Sequence, residues 1–329
     1  MSSIAVLPGL TPASYRRHPL HGEGCDWPAK NPRADLWIGF VHTLGLEPLA
    51  MLASAVAVGF EDDQWTFFQP PQQELRVLYG IDVRELAAWR PLLEHAREHL
   101  AGGKLVGIDV DAHGLPGTAA VEGRRSHATT TILMAELDES RERLGYFQGA
   151  GYHELAGEDF RALFRLGAPP DPPPLPAFAQ LVRIDRLARK DPAELADQAF
   201  ELLRGHFAWR PRANPFSRFA ARIAQDWPAM CDLGLAHYQQ WAFASVQQAG
   251  AAFELLGAHL RWLATQGYPE LSEPAQRFDA IGSTSRTLLL QGARAVRAGR
   301  PLAADDLLQG MAGDWEQGMA MLGPLMAEG

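Results

Sequence analysis

Residues 104–135 read KLVGIDVDA (104–112), HGLPGTAAVEGRRS (113–126) and HATTTILMA (127–135). The outer pieces are apolar and β-branched, and the middle piece is polar and glycine-containing. The stretch therefore predicts strand, loop, strand. His127 opens the second strand. Upstream, NPRADLWIGFVHTLG begins at Asn31, and Leu36, Trp37, Phe40, Val41 and Leu44 recur at the spacing of a buried helical face. That spacing predicts a helix starting near Ala34. A histidine on a strand facing a helix N-terminus is how cysteine-nucleophile acyl-transfer sites are built. Here the helix start carries Pro32 and Arg33, and no cysteine.

Outward from these segments, the first 33 residues read as irregular, being interrupted by Pro8, Pro12, Pro19, Pro28 and Pro32. Glu47-Pro48 opens a second helix through about Val58. WTFF at Trp65–Phe68 reads as a short strand, and residues 71–79 and 89–101 as helices. RLGYFQGAGYHEL, from Arg143, predicts a strand pair or a single strand bulged at its glycines, followed by a short helix over 158–164. GAPPDPPPLP (167–176) holds six prolines in ten positions, which excludes helix and central strand. It divides the chain into a mixed domain over 1–166, a linker over 167–176 and a mainly helical domain over 177–329. After an opening strand at 180–185, the second domain reads as helices near 192–206, 215–229, 231–265, 273–298 and 303–323. The 231–265 helix carries Ala242, Ala244, Ala249, Gly250, Ala251 and Ala252, small residues that permit close helix contact or self-association. The fold class expected is α+β.

A chain of 329 residues is long for one core, which agrees with two domains. The net charge of −9, with no Lys/Arg-rich run, argues against nucleic acid or an anionic membrane as the main partner. The two cysteines, Cys25 and Cys231, lie far apart and outside any zinc-type spacing, as expected of a reducing compartment. No charged start precedes an apolar run and no stretch of 18 apolar residues occurs, so a cytoplasmic location is expected. GxGxxG and GxxxxGK loops are absent, so neither a nucleotide nor any other cofactor is indicated.

Thiol acyl transfer needs a thiolate, a base and a group that orients the base. The candidates are His127 as base and Asp138 or Gln148 as orienter. A metal reading competes: Asp109, Asp111 and His113 alternate on one strand face and, with His127, would form a hydrolytic metal site. Its bland counterpart is that the two aspartates end the strand and cap the following loop. His95 and His99 lie at i, i+4 on a helix, a zinc-compatible spacing, but without a third ligand they read as two exposed histidines. FEDDQW (60–65) reads as a solvated acidic turn. Arg124-Arg125 reads either as a phosphate or phosphopantetheine contact or as a solvated loop.

YRRHPLHGEGCDWPAKNPRADLWIGFVHTLGLEPLA (15–50) resembles the opening of a bacterial family of unknown function, numbered 1839 among such families. The likeness continues through FEDDQWTFF, LYGIDVRELAAWRPLLEH, DVDAHGLPGT, RRSHATTTI, LGYFQGAGYHEL and GAAFELLGAHLRWL, over nearly the whole chain. The first half is also distantly similar to the N-terminal domain of the butirosin H type of acyltransferase. That resemblance implies a papain-like, cysteine-peptidase-type N-terminal domain. It also implies an acyl thioester delivered on a phosphopantetheinylated carrier protein and passed to an amine through a cysteine. The family pattern places Asn-Cys-Tyr before the Asp-Leu-Trp of the helix and His-Asn before Ala-Gly-Tyr on a later strand. This chain has Pro32 at the cysteine position and Gln148-Gly149 at the later site, and keeps His127. Asn31, Arg33, Asp35, Trp65 and Arg124 lie in the blocks that carry the resemblance and are the candidate binding residues. The expectation is a degenerate acyltransferase-type protein that lacks thiol catalysis and binds an acyl carrier or small acyl ligand. Its alternatives are an active enzyme using Cys25 and His127, and the metal-dependent hydrolase.

Overall fold

A computed structural model of the chain describes residues 3–112, 115, 129–167 and 178–327. His113, Arg124 and His127 lie outside the described residues, as does nearly all of the 167–176 segment. In chain order the elements are β1 (Ile4–Ala5), α1 (Pro32–Thr43), β2 (Phe60–Glu61), β3 (Gln64–Trp65), α2 (Gln72–Tyr79), β4 (Asp82–Ala87), α3 (Leu92–Ala101), β5 (Lys104–Asp111), β6 (Thr129–Asp138), β7 (Arg143–Gln148), β8 (Gly151–Ala156), α4 (Glu158–Leu163) and β9 (Phe178–Arg183). Helices then follow: α5 (Pro192–Phe207), α6 (Pro215–Ala242), α7 (Gln248–Thr265), α8 (Ser272–Arg297) and α9 (Asp305–Ala327). The class is α+β, with the large sheet drawn from the first part of the chain and helices filling the second.

The chain forms two compact units, each drawn from separate segments. Unit 1 comprises Met1–Pro19, Pro32–Glu47 and Gln72–Arg189, and unit 2 comprises Leu20–Asn31, Pro48–Pro71 and Lys190–Gly329. This grouping differs from a single division at the proline-rich segment. β9 follows those prolines, yet it pairs with both β4 and β5 inside the sheet of unit 1.

Unit 1 is built on a seven-stranded sheet of order β4-β9-β5-β6-β7-β8, with β1 paired to β6, and every pairing is antiparallel. β6 is rich in β-branched and apolar residues, and most of its length is buried. A register shift falls between Met134 and Glu136, and the backbone of Val6 bonds to Ala135 O there. Gly149 (φ +49°) supplies the left-handed backbone that the two-residue β7–β8 turn requires. Ala96 and Leu100 of α3 and Phe160 and Phe164 from the α4 region share one apolar core with Ile108, Ile132, Met134 and Tyr146 of the sheet. α1 starts on Pro32, whose fixed φ suits a first helical residue, and is buried from Ala34 through Val41.

Two sequence expectations change in unit 1. Residues 82–87 (DVRELA) form β4, although their residue types favour helix, and the following helix starts at Leu92 rather than at 89. His95 is only 4% exposed, so the pair with His99 is not two exposed histidines.

In unit 2, Asp191 caps α5 and Asn214 caps α6, each followed by proline as the first helical residue. The break expected near residue 230 falls at Gly234, whose non-helical backbone (φ +81°) kinks α6, and a π-helical turn over Phe243–Gln247 leads from α6 into α7. Pro48–Ala57 is a run of 3-10 turns rather than an α-helix. WTFF is not a four-residue strand, because the strand ends at Trp65. Trp65 packs on Phe60, Phe216, Phe219 and Phe253, and Phe253 stacks on Phe278. Among the described residues, no helix is long and apolar enough to cross a membrane.

Candidate functional site

The first turn of α1 meets the ends of β5 and β6 in unit 1. Pro32 and Arg33 are exposed, whereas the next residues turn into the core. Arg33 pairs with Asp109 Oδ2 at 3.1 Å, and Thr131 Oγ1 donates to Asp109 Oδ1 from the neighbouring strand. Asp109 and Thr131 are direct cross-strand partners, as are Asp111 and Thr129. The helix start and the Thr129 end of β6 therefore stand together. Proline contributes no nucleophile and no backbone N–H at this place.

Deeper in, the N-terminal segment is wedged between α1 and the β7–β8 hairpin. The Tyr15 hydroxyl donates to Ala150 O at 3.3 Å, and its ring lies edge-on to Phe147, which in turn packs on Phe40 of α1. Gly39 makes room for Tyr15, since a Cβ there would stand 2.5 Å from the hydroxyl. Burial is the main cause that pushes the Tyr15 phenol up to about 12, and the nearby Asp35 carboxylate adds to the rise. Asp35 is itself 3% exposed, a buried group of the helix rather than an open binding residue.

Gln148 ends β7 and is buried, and its Oε1 has no hydrogen-bond partner among the described residues. Across the hairpin, Tyr146 pairs with His153 and Gln148 with Gly151. The His153 ring lies over Gly151, where a Cβ would approach Nε2 to 2.5 Å. Burial holds His153 below the usual imidazole range, against the opposing pull of its bond to the Gln148 backbone. Tyr15 and His153 were not among the expected site residues. Both fall inside blocks that carry the family resemblance, and only the pairing of β7 with β8 shows that His153 and Gln148 are neighbours.

Asp138 does not share this place. It ends β6 at the opposite end from Thr129, where its Oδ1 accepts from Ser140 Oγ at 2.7 Å and Arg141 N at 3.1 Å. Those bonds, first the one from Ser140, hold its carboxyl below the usual range. It caps the β6–β7 turn; His127, the base it would orient, lies outside the described residues.

In unit 2, the segment 20–31 is held by one buried cation. Lys30 is fully buried, and its Nζ donates to Glu254 Oε2 of α7, to Leu20 O at 2.9 Å and to Trp27 O. The other Glu254 oxygen accepts from Asp26 N at 2.8 Å. The Trp27 indole donates to Gly282 O at 3.0 Å and covers Gly250, where a Cβ would approach its Nε1 to 2.5 Å. Cys25 lies in this clamped segment, partly buried. Burial raises its thiol pKa against the opposing pull of Lys30, and Glu254 adds to the rise. A reactive thiolate needs the reverse environment. Asn31 is buried, donating from Nδ2 to Phe68 O at 2.9 Å, and Trp65 is committed to the aromatic core. Neither presents an open binding surface.

For the metal reading, both Asp109 oxygens already accept bonds from Arg33 and Thr131. Among the described residues, no group of three or more His, Cys, Asp or Glu side chains is arranged to hold a metal ion.

Residues 16–184 match the model of the DUF1839 N-terminal domain, and residues 192–323 match that of the DUF1839 C-terminal domain. The chain belongs to the DUF1839 family. No curated protein matches it.

Proposed function

We propose that this protein is a degenerate papain-like acyltransferase-type protein that binds an acyl-carrier protein, or the acyl-pantetheine arm it bears, without thiol catalysis. The observation that carries the reading is Pro32 as the first residue of α1, beside the Thr129 end of β6. In a papain-like site the nucleophile stands at such a helix start, where the helix dipole stabilises a thiolate. Proline supplies none, and Arg33 with Asp109 occupies the entrance as an ion pair. The raised thiol pKa of Cys25 argues against its taking over. An exposed helix start with a basic residue still suits an anionic or thioester-bearing arm.

The test is a pull-down of phosphopantetheinylated carrier protein against the same carrier without the arm. Selective retention of the armed form is expected. Recovery of neither form contradicts the reading, and equal recovery of both removes the arm from the contact and leaves the carrier body as the ligand.

A further inference from the structure

α3 carries a second pair of groups, separate from the α1 site. His95 and His99 are one helical turn apart on the same face, with ring centroids 4.4 Å apart and ring planes at 74°. His95 is 4% exposed, and neither of its ring nitrogens has a hydrogen-bond partner among the described residues. A buried ring nitrogen left unpaired is costly, and among the described residues this one ring leaves two. His99 is half-buried, so the pair opens toward solvent on its side.

We propose that His95 and His99 form a two-histidine clamp for a late divalent transition-metal ion of the Cu²⁺, Ni²⁺ or Zn²⁺ class, with water in the remaining positions. Imidazole nitrogen suits these ions. With metal–nitrogen bonds of about 2.0–2.1 Å, the two donor nitrogens stand about 3–3.4 Å apart. A centroid separation of 4.4 Å is compatible with that spacing. The torsion that turns an imidazole is soft, and no hydrogen bond among the described residues holds the His95 ring in its present orientation. The proposal is independent of the reading of the α1 site.

The full-length chain, stripped with chelator and dialysed, is titrated with Ni²⁺ by calorimetry and with one equivalent of Cu²⁺ by electron paramagnetic resonance. One tight equivalent is expected, with hyperfine structure from two nitrogens. His99→Gln, a change at the open side of the pair, is expected to weaken binding at least about tenfold and to reduce the nitrogen count to one or none. His95→Gln is expected to do the same if it folds. Absence of a tight equivalent, or a His99→Gln variant with unchanged affinity and nitrogen count, overturns the proposal.

Discussion

The Lys30 ammonium stands 2.6 Å from a Glu254 carboxylate oxygen, with the lysine side chain wholly removed from solvent. Two backbone carbonyls complete its donors, and the second carboxylate oxygen is occupied by the Asp26 amide. A buried pair satisfied in this way holds a loop in one conformation, and it is costly to break on one side only. Lys30→Met is predicted to destabilise unit 2 by about 3–5 kcal/mol, because it strands the Glu254 charge. Lys30→Met with Glu254→Leu is predicted to recover most of that loss. Urea unfolding of the three proteins checks this, and a double variant as unstable as the single one contradicts it.

His259 is fully buried on α7, with Nδ1 2.7 Å from Leu49 O and Nε2 unpaired among the described residues. Burial pushes its pKa down to about 4. A folded pKa below the unfolded value of about 6.5 means that folding favours the neutral ring. Its contribution is present above pH 6.5 and is lost as the pH falls from there toward about 4. The loss amounts to about 3 kcal/mol at most. His259→Asn keeps a donor near Leu49 and is predicted to flatten the decline in unfolding free energy between pH 6.5 and 4.5. An unchanged slope sinks the assignment.

Gly39 and Tyr15 are matched in space, since a Cβ at position 39 would stand 2.5 Å from the phenol oxygen. Gly39→Ala is predicted to cost about 1–3 kcal/mol by overpacking. On a Tyr15→Phe background the same change is predicted to be neutral or stabilising, since alanine favours a helix by about 1 kcal/mol over glycine. Thermal melts of the four proteins measure the coupling, and additive effects contradict it.

Much of unit 1 was legible because its signals are local. The β-branched runs of β5 and β6, the glycine-marked β7–β8 turn and the apolar stripe of α1 each state their element within a few residues. β4 was missed because DVRELA is composed of helix formers and becomes a strand only by pairing with β9, about a hundred residues later in the chain. Trp65 and Asn31 are candidates because they lie in the blocks that carry the family resemblance, and a block does not state that both side chains are buried. That Asp138 closes the β6–β7 turn shows only in its bonds from Ser140 and Arg141. Lys30 gave no signal, since a buried lysine differs from an exposed one only through its partners.

Arg33 and Asp109 are both about half exposed, so their pair contributes less than about 1 kcal/mol. Arg33→Ala is predicted to leave the melting temperature nearly unchanged while weakening retention of the phosphopantetheinylated carrier. The same pull-down with a correctly folded variant reads this directly, and undiminished retention removes Arg33 from the binding surface.

With Pro32 at the start of α1, the protein is expected to take up no acyl group on a thiol. Full-length protein is incubated with an acyl-pantetheine thioester at neutral pH and its intact mass is recorded, followed by peptide mapping. An unchanged mass is expected, with Cys25 alkylated by iodoacetamide no faster than a free cysteine, as its raised thiol pKa requires. A hydroxylamine-labile acyl adduct mapping to Cys25 would contradict it.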